Sequence, residues 1–379
     1  MPRVRTTRPS DCSAAPAVLA ARLAIAVAAT LTVLACGSAA AQAPMIRPES
    51  GPWSAGEGFQ FEEEPKKTRR AASGIACPSA ATRARTCLFV FDEGTEARFG
   101  ILSEGKLTPD SERVMLISED GELDAEGAAL DGDVFYVIGS HSAKRGNCKS
   151  NADSRHVIRF RRDPATGRGA REISGQLAGY AFTGNLWSLM AKQPELAAYV
   201  GERKCLGTEP PDDEPQLRGQ RGANIEAVAA LAGRLFFGFR GPAMGSRAPV
   251  LAVDAAGLFD GGPTNEKVTM LHVGPRRGIR DMQIVKDGLL VLAGPDDDKS
   301  SAGAGWIISL WDGSTTAEGT GQPRELARLN LDGLVRDKCD KEIKPEALTV
   351  LEETASHYLV VVLSDGMCDG GPLLYWVPR

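Results

Sequence analysis

The 379-residue chain has no basic excess, with 44 Lys and Arg against 49 Asp and Glu and a formal charge of −5. Without such an excess there is little to hold nucleic acid by its phosphates. Long apolar runs are scarce: the run over 23–34 is shorter than the roughly 20 residues that a membrane helix needs. That excludes a bundle of membrane helices. No C-x-x-C pair, H-E-x-x-H, P-loop, dinucleotide fingerprint or G-x-S-x-G elbow occurs, so zincin, nucleotide and serine-hydrolase signatures are missing. What is abundant is turn material, 42 Gly and 23 Pro, which favours many turns over long helices.

Residues 1–41 read as a secretory signal. Arg3, Arg5, Arg8 and Arg22 precede the apolar run, and Ala39, Ala40 and Ala41 provide a small-residue exit before Gln42. A periplasmic or secreted protein is expected. Lipidation at Cys36 is the less favoured alternative, because Leu34 fits that pattern poorly. Loss of 1–41 removes four Arg and one Asp and takes the charge from −5 to −8. Six cysteines remain, and an even count in an oxidising compartment reads as disulfides. Pairing of chain neighbours is expected: Cys77 with Cys87, Cys148 with Cys205, and Cys339 with Cys368. A zinc cluster competes poorly, because the spacings are wide.

Residues 42–73 are rich in Pro, Glu, Lys and Arg and read as a disordered, solvated leader. From 74 to 379, short apolar runs alternate with Gly, Asp and Pro clusters, the pattern of an all-β domain. Four stretches repeat one plan: an acid, a short strand of small residues, a turn, and a strand apolar on both faces. The acids are Glu126, Glu226, Asp281 and Glu346. A lone hairpin cannot cover both faces of its second strand, so the units must stack. Small residues in the first strand suit a crowded axis, and radially packed blades meet these conditions. At about 40–50 residues per blade, the 306 residues of 74–379 allow a β-propeller of six or seven blades. The run 373–377 is expected to close the ring on 87–91, and 184–200 forms a short helical insertion. A two-sheet sandwich is the alternative.

The motifs Asp124-Ala-Glu-Gly-Ala, Gly139-Ser-His-Ser142, Asn224-Ile-Glu-Ala-Val, Gly238-Phe-Arg-Gly-Pro242, Gly278-Ile-Arg-Asp281 and Leu292-Ala-Gly-Pro295 occur in order. Their set resembles the bacterial family of domain of unknown function 3616, over about residues 74–379. Where that family has Glu-Gly-Leu-Ala, this chain has Glu226-Ala-Val-Ala and Glu346-Ala-Leu-Thr. The resemblance implies a propeller and no established activity. A more distant likeness to exported esterase-like and phytase-like propellers implies a hydrolase.

In a propeller, equivalent residues surround one channel, where four acids repel unless neutralised. One reading is a Ca²⁺ site of Asp124, Glu126, Asn224, Glu226, Asp281 and Glu346, whose oxygens suit a hard cation. The other is a ring of ion pairs with Arg240 and Arg280, which needs no metal. Ser140, His141 and Ser142 end a strand, with His141 the candidate general base and Ser140, Arg240 and Arg280 candidate substrate contacts. The triple Asp296-Asp297-Asp298 reads as a solvated loop. Two functions follow: a ligand-binding or interaction module for a small molecule or protein, and a Ca²⁺-assisted hydrolase of phosphate esters or lactones. Redox chemistry of the cysteines is a third.

Overall fold

Where the chain must reverse between two strands, it places glycine in a left-handed conformation. Gly132 (φ 58°) and Gly233 (φ 77°) make the tight turns between the first two strands of their hairpins. Strands so linked form five antiparallel sheets in the computed structural model, which describes residues 42–61, 65–79, 83–208 and 221–379. The expected signal segment 1–41 and residues 62–64, 80–82 and 209–220 lie outside the described residues.

Each sheet is one blade. Blade 1 holds Ala72–Ala76, Arg85–Phe91, Glu96–Ser103 and Lys106–Met115. Blade 2 holds Ala125–Asp131, Val134–Gly139, Val157–Arg161 and Ala181–Thr183. Blade 3 holds Asn224–Leu231, Arg234–Gly241, Arg247–Asp254 and Lys267–His272, with Thr320–Gly321 added at its edge. Blade 4 runs Arg277–Val285, Gly288–Pro295, Ile307–Trp311 and Arg324–Leu329. Blade 5 has three strands, Lys344–Glu353, His357–Asp365 and Leu373–Pro378. The first strands of the blades neighbour one another in a closed cycle, and this makes the fold an all-β propeller.

The blade count is five, not six or seven. The interval of 100 residues from Glu126 to Glu226 holds one blade and its insertions rather than two blades. One insertion contains the helix Asn185–Met190, whose Leu186 and Met190 pack with Leu196 between blades 2 and 3. It completes the core there. Separate apolar clusters fill all five junctions between blades. At the axis the inner strands approach closely enough to require small residues. A Cβ on Gly74 would sit 2.8 Å from the Gly127 Cα.

Ring closure also differs from expectation. Leu373–Pro378 pairs within its own blade, against His357–Asp365, and not with 87–91. The expected leader supplies a strap instead. Met45–Ile46 pairs in parallel with the last strand of blade 4. Glu49 and Trp53 then donate backbone N–H groups to Leu374 (2.8 Å) and Pro372 (2.9 Å) on the open edge of blade 5. Ser54 bridges to Lys106 in blade 1. Phe59 is fully buried, 5.3 Å from Phe89 and 5.5 Å from Phe91 between ring centroids. Its N–H donates to Asp369 Oδ1 (2.8 Å), and the same carboxylate pairs with Arg69. Such anchors are few and irregularly spaced among charged residues, so no periodicity announces them. Residues 72–76, assigned partly to that leader, are the innermost strand of blade 1.

The three disulfides join the expected neighbours, Cys77–Cys87, Cys148–Cys205 and Cys339–Cys368. Among the described residues no helix is long and apolar enough to cross a membrane. If the strap is part of the fold, Phe59→Ala removes a buried ring and lowers the unfolding free energy by about 3–5 kcal/mol in urea titration. An unchanged midpoint would show that residues 43–61 are detached from the propeller.

Candidate functional site

The inner strand of every blade carries a β-bulge at the same place, and those of blades 3 and 5 have a second irregularity elsewhere. Pairing with the second strand skips a residue between Ala72 and Gly74, Ala125 and Gly127, Ile225 and Ala227, Ile279 and Asp281, and Pro345 and Ala347. A bulge sets two residues against one and re-aims the extra side chain. The extra residues are Ser73, Glu126, Glu226, Arg280 and Glu346. The fourth repeat is thus shifted by one from the sequence alignment of acids, and its axial residue is Arg280.

That shift relocates Asp281. Neighbouring strand residues point to opposite faces, so the residue after the bulge turns into the blade. The Asp281 carboxylate accepts the N–H groups of Met282 (2.8 Å) and Leu348 (2.7 Å), joining blade 4 to blade 5. It is buried, and burial pushes its pKa well above the ordinary carboxylate range. Asp281 is therefore not part of the expected cation site.

Arg280 sits between two bulged acids. Its Nε lies 2.8 Å from Glu226 Oε2, and its Nη2 pairs with Glu346 Oε1. Glu226 is also held from the other side, by Arg240 Nη1 on Oε1 at 2.8 Å. Arg240 Nε continues to Asp297 Oδ1 (3.2 Å), which Arg145 Nη2 reaches at 2.9 Å. Asn224 donates its amide to Glu226 Oε1 (3.3 Å) and Asp297 Oδ1 (3.2 Å). Burial and the nearby Arg240 pull the Arg280 pKa down to about 10. Burial works against the charge on Arg240 as well, but Glu226 and Asp297 outweigh it and hold that group above its usual range. Asp297, expected in a solvated loop, has a buried side chain, and Arg240 and Arg145 overcome burial to hold its pKa below the ordinary value.

A second ring follows from the second strands, one residue past each bulge partner: Asp92, Ser140, Arg240, Gly294 and Asp365. Lys344 Nζ pairs with Asp365 (3.3 Å) and Glu342 (2.6 Å). Glycine at 294 leaves room for the Trp306 ring, which a Cβ there would meet at 2.5 Å, and for the Arg280 stem, whose Cγ it would meet at 3.3 Å.

These groups surround a polar axial cavity of about 280 Å³ lined by Asp92, Asp124, Glu126, Asn224, Glu226, Arg240, Lys344, Glu346 and Asp365. Its charges are uneven. On the side of blades 3 to 5 the carboxylates have cationic partners. On the side of blades 1 and 2, Asp92, Asp124 and Glu126 make no ion pair among the described residues, although Arg145 acts on Asp124 and Arg280 on Glu126 from further away. Asp124 Oδ2 accepts the Ser140 hydroxyl. Burial, reinforced by Glu122 and Glu226 and opposed by that hydrogen bond, pushes Asp124 up to about 6. Burial, with Glu226, Asp124 and Asp92 close by, raises Glu126 well above its usual range against the opposing pull of Arg280. Asp92 is raised too, by burial and by Asp365 and Asp124, and its Oδ1 has no hydrogen-bond partner. Asn224, only 2% exposed, keeps its Oδ1 without a partner on the same cavity.

The expected site is thus partly assembled. Asp124, Glu126, Asn224, Glu226, Arg240 and Glu346 converge, whereas His141 does not line the cavity. His141 is fully buried, its Nδ1 lies 2.8 Å from the Gly139 carbonyl, and burial pulls its pKa down to about 4. It is not placed as a base. Ser140 supports Asp124, and Arg280 is engaged by two carboxylates. Among the described residues no three His, Cys, Asp or Glu side chains are arranged to hold a metal ion. Sequence reasoning missed Asp92, Arg145, Asp297, Lys344 and Asp365. A signal existed for two of them, since Phe91-Asp92 and Ser364-Asp365 occupy the place of Phe239-Arg240.

The family model described as protein of unknown function (DUF3616) matches residues 103–163 and 166–368, well over half of the chain. The chain belongs to this family. No curated protein matches it in sequence. Among solved structures, a GH43 β-1,3-galactosidase with galactodeoxynojirimycin is similar at 9% identity and a TM-score of 0.41, covering 81% of this chain and 90% of that one. A GH43 endo-arabinanase from Bacillus licheniformis is similar at 10% identity and a TM-score of 0.34, covering 84% of this chain and 96% of that one. A putative 6-phosphogluconolactonase from Bacteroides fragilis is similar at 12% identity and a TM-score of 0.34, covering 86% of this chain and 92% of that one. Likenesses this distant say nothing of chemistry, and the DUF3616 site has to be read from its own residues.

Two outcomes test this site. Arg280→Met leaves Glu226 and Glu346 buried without their shared cation and costs about 3–5 kcal/mol in urea unfolding. Adding Glu226→Gln to that variant restores part of the loss. Asp124 holds a proton in the folded state up to about pH 6, above its unfolded range, so the stability it contributes at low pH is lost as pH rises through about 6. His141, with its lowered pKa, acts in the opposite direction, so the comparison is between variants. Asp124→Asn is expected to gain stability relative to wild type as pH goes from 5 to 7. A pH-independent difference would contradict this assignment.

Proposed function

We propose that this DUF3616 protein is an exported binding module whose axial cavity takes a small cationic ligand. The observation that carries this reading is the unpaired acidic wall of Asp92, Asp124 and Glu126, facing a cavity whose other charged groups are matched. Buried carboxylates with raised pKa values mark structural networks as well as sites. Here the structural network is the Arg280–Glu226–Arg240–Asp297 chain, and among the described residues the three acids make no ion pair with it. A cation entering the cavity replaces like-charge repulsion by attraction in a partly desolvated setting. Three disulfides suit an oxidising compartment, in keeping with a periplasmic or secreted protein. Ca²⁺ and organic cations both belong to the class of ligand proposed.

A ligand bound only by the folded state raises the unfolding temperature. At pH 7.5 and fixed ionic strength, a panel of small cations is expected to include members that stabilise wild type and leave Asp92→Asn/Glu126→Gln unchanged. Inorganic phosphate is expected to have no effect. Stabilisation by phosphate, or by cations equally in both proteins, would contradict the reading.

A further inference from the structure

Resting on the cation-binding reading, we infer that the ligand of the axial cavity is a compact organic cation with several N–H donors, an alkyl diamine or alkylguanidinium, rather than a metal ion. The acceptors are spread over the wall. Asp92 follows the second strand of blade 1, Asp124 precedes the first strand of blade 2 and Glu126 is its bulged residue, and Asn224 begins blade 3. Ca²⁺ needs six to eight oxygens within about 2.3–2.6 Å of it. Among the described residues no such convergence of three ligating side chains exists. N–H donors distributed along a small molecule meet separated acceptors, each at an ordinary charge-assisted distance of about 2.7–2.9 Å.

Asn224 provides the independent sign of a ligand. Its amide nitrogen is committed to Glu226 and Asp297, which turns the amide so that the carbonyl oxygen is the unpartnered atom. A buried acceptor left open carries a desolvation cost that a donor from the ligand removes. The cavity lining contains little apolar surface beyond Ala143 and Leu206, so the ligand is short and polar rather than a long-chain amine. Arg145 and Lys144 at the same cavity make their ion pairs with Asp297 and Glu122.

The test is thermal unfolding of the full mature protein at pH 7.5 with 1,4-diaminobutane, butylguanidinium, tetramethylammonium or CaCl₂ at matched ionic strength. The diamine and the guanidinium are expected to raise Tm by about 2–4 °C. Tetramethylammonium, which has the charge and no N–H, and Ca²⁺ are expected to leave it unchanged. Glu126→Gln and Asn224→Ala are each expected to abolish the shift. Glu126→Gln relieves repulsion among the acids, so its own Tm without ligand should equal or exceed that of wild type, which separates lost binding from lost folding. A shift with Ca²⁺ that Glu126→Gln removes would overturn this inference and leave the cation site standing. An equal shift with tetramethylammonium would overturn the role of the N–H donors. No shift with any of the four would overturn both the inference and the reading beneath it.

Discussion

The Arg280 guanidinium, buried between Glu226 and Glu346, is the contact on which the axis depends. Three blades meet through it. Burying an ion pair gives little net stability, because desolvation offsets most of the attraction, but removing one partner leaves an uncompensated charge and is costly. The pair therefore acts as a constraint on arrangement. It fixes which side chains of blades 3, 4 and 5 face the channel and commits two of the three bulged glutamates. The third, Glu126, has no ion-pair partner among the described residues, and with Asp92 and Asp124 it lines the other half of the cavity.

The bulge is the device that makes such an axis possible. A regular strand sends alternate side chains to the two faces of the blade, both of which are packed against neighbouring blades here. Charged residues on those faces would be buried against hydrocarbon. One extra residue per inner strand projects a polar side chain between blades without disturbing the apolar alternation on either side of it. Gly74 and Gly127 beside the bulges allow the strands to come close enough for these side chains to meet. Binding chemistry and packing are thus separated by one residue of register.

Much of this was legible in the sequence, and the limits have physical reasons. The doubly apolar second strands, the small inner strands and the Gly-bearing turns pointed to stacked blades, and Glu126, Glu226 and Glu346 were placed on the axis. The fourth acid was misassigned because Arg280-Asp281 offers a carboxylate one position from the true equivalent, and a bulge leaves no mark in composition. The blade count failed because spacing cannot separate an inserted loop from an extra blade. The strap was misread because Trp53 and Phe59 anchor it through isolated contacts, with no period to detect. Asp297 escaped because its partners, Arg145 and Arg240, are distant in sequence.

One half of the axis is an acidic wall without ion-pair partners among the described residues, and carboxyl ¹³C NMR of glutamate-labelled protein tests this most directly. The resonance that disappears in Glu126→Gln is expected to titrate well above the ordinary glutamate range in the free protein. It is expected to return toward that range when 1,4-diaminobutane is bound. A Glu126 carboxyl that titrates normally in the free protein would mean that the wall is already neutralised or open to water, and the account would fail.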